Sequence, residues 1–163
     1  MNSSIKPSST PPIKHTICLR PHHLLCLQTF VGHGYSPEFT AHMTIVQKQL
    51  TTDPLTPIAL VNGPDDLCGH CPNCVDGSCT SPKPAVFDHL VGQKLNTTED
   101  TENAAPKHTD ASDSPLTLHG IPSILHMSEQ LLAECCPYCE WKELCVEVCR
   151  TTINYKKNPD APD

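Results

Sequence analysis

The 163-residue chain is poor in aromatics, 4% with a single Trp, and has only two Arg, Arg20 and Arg150. Few aromatics and a hydrophobic fraction of 37% limit the apolar area that folding can bury. The sequence therefore predicts a thin core, with part of the chain outside it. A formal charge of −7 and no basic stripe exclude ordinary nucleic-acid binding and attraction to an anionic membrane surface. No apolar run is long enough to span a bilayer; the most apolar stretch, residues 22–31, is short and contains polar residues. Residues 1–12, MNSSIKPSSTPP, contain no apolar segment of the kind a secretory signal needs, so the expected location is the cytoplasm. A glycine-rich phosphate loop, a nucleophile elbow and a His-Glu-x-x-His motif are also missing.

Proline and cysteine are plentiful, at 17 and 11 residues. So much Pro disfavours long helices and wide sheets. Thiols in a reducing compartment stay free, so clustered Cys point to a metal or to redox chemistry, and an odd count fits complete disulfide pairing badly.

Residues 1–13 read as a disordered tail and residues 14–153 as a single metal-binding domain. The alternation at residues 15–19 predicts a strand, and Pro21 opens a helix carrying Leu24, Leu25, Leu27, Gln28 and Val31, stopped by Gly32 and Gly34. Ser36-Pro37-Glu38 is a second helix start, followed by an apolar stripe at Phe39, Met43, Val46 and Leu50. Residues 58–61 predict a buried strand closed by Asn62-Gly63-Pro64. Strand, helix, helix, strand is an order in which two strands pair in parallel with the helices as the crossover. Residues 68–79 hold too many turn formers for regular structure, and residues 84–95 predict a helix. Residues 96–114 form an exposed polar loop. Residues 122–127 and 128–135 read as short helices, and Pro137 opens a third running to Ile153. Residues 154–163 are a polar tail. The fold class is α+β, mostly helical, with a small two-stranded parallel sheet stabilised by a Cys-ligated metal site.

The first Cys block is Cys68-Gly-His-Cys71-Pro-Asn-Cys74-Val-Asp-Gly-Ser-Cys79; the second runs Cys135-Cys136-Pro-Tyr-Cys139-Glu-Trp-Lys-Glu-Leu-Cys145. Two residues between ligands let a tight turn aim both sulfurs at one point while backbone N–H groups face the thiolates. Two Cys-x2-Cys pairs, one from each block, satisfy tetrahedral zinc, and four thiolates equally satisfy an iron–sulfur cluster. Cys68, Cys71 and Cys74 match the start of the bacterial ferredoxin run, but Cys79 comes one residue late and precedes Thr80, not Pro. Spacing alone leaves zinc and iron–sulfur open. Cys68-Gly-His-Cys71 also has the form of a disulfide-isomerase tetrapeptide, which makes a thiol-redox enzyme using Cys68 and Cys71 a further alternative.

The segment Leu19-Arg-Pro-His-His-Leu-Leu-Cys26, with Gly63-Pro-Asp-Asp-Leu-Cys68 and Cys136-x2-Cys139-x-Trp141-x3-Cys145, resembles the domain-of-unknown-function family numbered 1284, small bacterial and archaeal proteins. The resemblance covers roughly residues 17–150 and implies iron–sulfur binding through Cys26, Cys68, Cys71, Cys79, Cys136, Cys139 and Cys145. Cys74 and Cys135 are extras to that pattern. The expected cofactor is one [4Fe–4S] cluster, with residues 68–79 facing residues 136–145. The expected role is electron carrier or redox sensor, with a redox protein as partner. A zinc-stapled protein-interaction module is the alternative.

His22 and His23 lie three and four residues before Cys26, so one shares its helical face. Each is a metal ligand, an N–H donor to a cluster sulfide, or a partly buried His bonded to a carbonyl. Arg20 balances a cluster's charge, or a carboxylate such as Asp65 or Asp66. Those two Asp read as turn caps, Trp141 as a shield against water, and His70 as pointing away.

Overall fold

The structure, a computed structural model, describes residues 15–96, 116–117 and 127–157. The predicted tail at 1–13, the loop at 96–114 beyond its first residue and the helix at 122–127 except Met127, which is not helical, lie outside them.

Strand β1, Ile17–Leu19, buries Ile17 and Leu19 and leaves Cys18 half-buried. Pro21 then occupies the first position of α1, Pro21–Thr29. This helix is buried almost all round, as expected of one at the centre of a thin core. It ends two residues before the predicted Val31 because Phe30 is already extended, and Val31 is exposed. The Ser36 hydroxyl accepts from the Phe39 N–H at 3.1 Å, capping α2, Pro37–Thr52, whose Phe39, Met43, Val46 and Leu50 are all buried. Ser36→Ala should cost about 1 kcal/mol in urea unfolding, with Ser36→Asp close to wild type.

Strand β2, Pro57–Leu60, pairs in parallel with β1 in the register Ile17↔Ile58 and Leu19↔Leu60, with α1 and α2 as the crossover. It is less buried than its apolar run predicts: Ile58 is buried, but Leu60 is 43% exposed. The first Cys block is also more regular than expected. A 3-10 turn at Cys68–His70 leads to a hairpin of β3, Cys74–Val75, and β4, Ser78–Cys79. Asp76 and Gly77 at its tip both have positive φ, 49° and 72°. Asp-Gly between strands is the pairing that such a two-residue turn selects.

Helix α3 spans Lys83–Asn96. Strand β5, Leu116–Thr117, pairs antiparallel with β2, so the main sheet is three-stranded and mixed, not two-stranded and parallel. A two-residue strand is too short to show periodicity in sequence. Helix α4, Glu129–Cys135, is capped by Ser128, whose hydroxyl accepts from the Leu131 N–H. The last helix, α5, spans Lys142–Lys157 and not 137–153. Residues 136–141 form successive turns instead, with the Cys139 N–H bonded to the Cys136 carbonyl and the Lys142 N–H to that of Cys139. Helix α1 packs against both α3 and α5.

Candidate metal centre

Four thiols from two distant stretches of the chain line one cavity of about 70 Å³: Cys26 on α1, and Cys136 and Cys139 in the turn before α5 with Cys145 on α5. Burial pushes the Cys26 thiol well above its ordinary range, and Cys136, Cys139 and Cys145 push it further. Burial likewise raises Cys136 to about 12, with Cys139, Cys135 and Cys145 adding to the rise. Cys139 is raised by burial against a lowering bond from the Trp141 N–H, and Cys145 again adds to the rise. Thr29 Oγ1 lies 3.2 Å from Cys145 Sγ and 3.2 Å from the Leu25 carbonyl. Its single proton serves one of them at a time. Trp141 and Phe30 line the same cavity, and Tyr35 meets Trp141 edge-on at 4.5 Å.

This donor set fits a metal. Cys26, Cys136 and Cys139, which burial and mutual repulsion keep protonated, need a cation to become thiolates together, and metal ligation supplies one. The amide aimed at Cys139 is an N–H group of the kind that steadies a ligating sulfur.

Cys68, Cys71 and Cys79 line a smaller neighbouring cavity. Burial raises Cys68 to about 12, against a lowering backbone bond at Asp65. Burial also raises Cys71; N–H groups of Asn73 and Cys74 oppose this, and Cys79 and Cys74 add to it. The buried Arg20 guanidinium, paired with Asp88, lines the same cavity. Cys74 lies across the hairpin from Cys79 and lines neither cavity. The thiols of the two blocks line two cavities that share part of their lining, and not one common cavity.

His22 and His23 form part of the wall of both cavities. Neither is bonded to a carbonyl as the simpler reading had it. His22 Nδ1 meets Asp88 Oδ1 at 2.5 Å, and His23 Nδ1 meets Asp65 Oδ2 at 2.5 Å. Burial holds His22 down at about 4, outweighing the raising bond to Asp88. A neutral ring that donates its Nδ1 proton to a carboxylate keeps its lone pair on Nε2.

Arg20 finds its carboxylate at Asp88, with Nε 2.7 Å from Oδ2, while its backbone N–H donates to Asp65. Asp65 and Asp66 are caps as expected: Asp65 accepts from the Leu67 and Cys68 N–H groups, and Asp66 from that of Cys18. His70 is exposed against His42 and lines neither cavity. Cys135 and Cys149 are buried in the core. Asp88 and Thr29 carry the site without having been legible beforehand. Asp88 is 66 residues from His22, and no short-range spacing links them.

These features define a small cysteine-rich α+β protein with a candidate metal centre at the side of its central helix. The chain belongs to the family described as protein of unknown function, DUF1284, whose model matches residues 34–145. The matched segment holds both Cys blocks as far as Cys145, while Cys26 and the two His precede it. No curated protein and no solved structure matches the chain. Among the described residues, no helix is long and apolar enough to cross a membrane.

Proposed function

We propose that the protein is a cysteine-ligated iron–sulfur protein, an electron carrier or redox sensor whose cluster is held by Cys26, Cys136, Cys139 and Cys145. The observation that carries this reading is the convergence of four mutually interacting thiols on one cavity. Spacing favours a cluster over one zinc ion. Thiolates on a single zinc with bonds of about 2.3 Å stand about 3.8 Å apart. Among the described residues, the one set of three or more ligand atoms within 4.8 Å of one another is His23, Asp65 and Cys68. The quartet is therefore wider than a zinc site, and its cavity of about 70 Å³ exceeds the space for one ion. A bound cluster supplies one-electron chemistry.

The chain's own groups suit that role. Trp141 and Phe30 limit water at the sulfurs, and Thr29 offers Cys145 a proton that stabilises its reduced, more negative state. The exposed Tyr138, at 70%, stands between two of the ligating positions as a contact for a redox protein partner. Thiol exchange is disfavoured, because a reactive Cys needs a depressed pKa and burial raises Cys68 to about 12.

Visible spectra with iron, zinc and sulfide analysis on protein purified without oxygen test the reading. The expected result is broad absorption near 400 nm, about four iron and four sulfide at the quartet, and loss of that share in Cys139→Ser. A colourless protein holding zinc would replace it with the zinc-stapled interaction module.

A further inference from the structure

We propose that Cys74 and Cys79 are a reversible dithiol–disulfide pair, closed across the hairpin of β3 and β4. The pair uses none of the four thiols assigned to the cluster, so either reading can fail without the other.

Three observations carry it. The first is register. Cys74 stands directly opposite Cys79, and Val75 opposite Ser78. Among the described residues this is the one place where paired strands set Cys against Cys. Directly opposed residues of an antiparallel pair project from the same face, so the two thiols share one side of the hairpin.

The second is the kind of pair. Opposed residues alternate between pairs that exchange backbone hydrogen bonds and pairs that do not. Val75 and Ser78 flank the two-residue turn and form the bonded pair next to it. Two residues further along, the Thr80 N–H donates to the Asn73 carbonyl at 2.8 Å. Cys74 and Cys79 lie between these two and are therefore a non-bonded pair. The Cys74 N–H goes instead to the Cys71 carbonyl at 3.0 Å. Non-bonded pairs are the closer kind, with Cα atoms about 4.5 Å apart. That falls within the roughly 4.4–6.8 Å that a disulfide spans.

The third is preorganisation with access. Asp76 and Gly77, at φ 49° and 72°, hold the turn that fixes this register before any bond forms. Cys74 and Cys79 are both half-buried, within reach of a small oxidant, whereas Cys68 is buried. Cys71 is three residues from Cys74 but lines the small cavity, which Cys74 does not.

The oxidant is a small-molecule disulfide such as oxidised glutathione. One Cys of the pair attacks it as thiolate, releasing one small thiol and leaving a mixed disulfide. The other Cys then attacks its partner's sulfur and releases the second small thiol. Two protein thiols are oxidised, one small disulfide is reduced, and the two thiol protons pass to the departing thiolates. Reduced Cys79 donates to the Ser81 carbonyl at 3.6 Å and lines the small cavity with Arg20. Oxidised Cys79 has no proton to donate and is tied to a residue outside that cavity. The oxidation state thus alters the lining beside Arg20.

The test uses the full chain as purified without oxygen, equilibrated in buffers of reduced and oxidised glutathione. Acid quenching, alkylation and peptide mass spectrometry locate the disulfides, with iron and sulfide measured in the same samples. The expected result is one internal disulfide, Cys74–Cys79, that forms and reverses with the glutathione ratio while iron and sulfide stay constant. Cys74→Ser should stop at a mixed disulfide of Cys79 with glutathione. Gly77→Val tests the register: an added Cβ meets nothing within 4 Å, but the positive φ disfavours any side chain. It should lower the equilibrium constant for closure about tenfold. A Cys71–Cys74 bond, or no internal disulfide in oxidised glutathione alone, would overturn the proposal. An unchanged constant in Gly77→Val would overturn the hairpin as the element that closes the pair. Iron lost in step with the disulfide would make Cys79 a cluster ligand and overturn the pair's separateness. A protein without iron or sulfide that still forms the bond would remove the iron–sulfur reading and leave this one standing.

Discussion

Asp65→Ala should destabilise the fold by about 4 kcal/mol, a large share of the roughly 5–15 kcal/mol that holds a domain together. The Asp65 side chain is fully buried, at 0% exposure, and takes four hydrogen bonds. Oδ2 accepts from the Arg20 N–H at 2.7 Å and from His23 Nδ1; Oδ1 accepts from the Leu67 and Cys68 N–H groups at 3.0 and 3.1 Å. The first two lie at the junction of β1 and α1, and the last two open the first Cys block, more than 40 residues on. One carboxylate thus ties the central helix to the loop that positions three thiols. Its removal strands the Arg20 and Leu67 N–H groups and the His23 ring donor, while the Cys68 N–H keeps the Asp65 carbonyl; an unsatisfied buried donor costs about 1–3 kcal/mol. Asp65→Asn should lose less, about 2 kcal/mol, because its amide keeps one acceptor but turns a donor toward donors. Asp66→Ala is the control, since its one bond to the Cys18 N–H is exposed, and should change stability by less than 1 kcal/mol. Urea unfolding followed by circular dichroism measures all three. Near-equal losses for the Asp65 and Asp66 alanine variants would mean that water replaces the buried carboxylate.

The parts of this fold that were legible are those whose signal is local. Ser36, Pro37 and Glu38 announce α2 within three residues, and the stripe from Phe39 to Leu50 follows from helical periodicity alone. The parallel pairing of β1 and β2 follows from element order. Elements of two residues are different. Strands β3, β4 and β5 are too short for alternation to register, although Asp76-Gly77 between Val75 and Ser78 is the turn pair that makes the first hairpin visible in retrospect. Pro137 misled because Pro suits both a helix start and a turn, and here successive turns place Cys139 before α5 begins. At the site, the residue types were legible but not their grouping. Cys26 joins thiols more than 100 residues away because α1 packs against α5, a tertiary fact with no counterpart in local spacing. Asp88 was missed for the same reason: a carboxylate in an amphipathic helix looks like surface until the partner helix presents Arg20 and His22 to it.

Acid should weaken the metal-free protein well above the range in which carboxylates usually protonate. His22 titrates near 4 in the folded chain, chiefly because burial disfavours its charged form, against 6.5 when unfolded. Between those values the unfolded chain binds a proton that the folded chain does not, so stability rises with pH across this window. It is fully present above 6.5 and lost as pH falls through 4, amounting to about 3 kcal/mol. Asp65 acts at lower pH. Burial alone would raise it, but the bond from His23, that ring's charge and the backbone bond from Arg20 outweigh burial and bring it to about 2. Its contribution is present above 3.8 and is lost as pH falls through 2, a further loss of about 2 kcal/mol. Urea midpoints at closely spaced pH values should therefore fall in two steps, the first beginning near 6.5. His22→Gln removes the first titrating group and should flatten that step while leaving the one near 2–4. An undiminished upper step in His22→Gln would assign it to another histidine. The same experiment thus reports the charge state of the ring whose Nδ1 faces Asp88, and with it whether its Nε2 lone pair faces the thiol cavities at the pH of a cell.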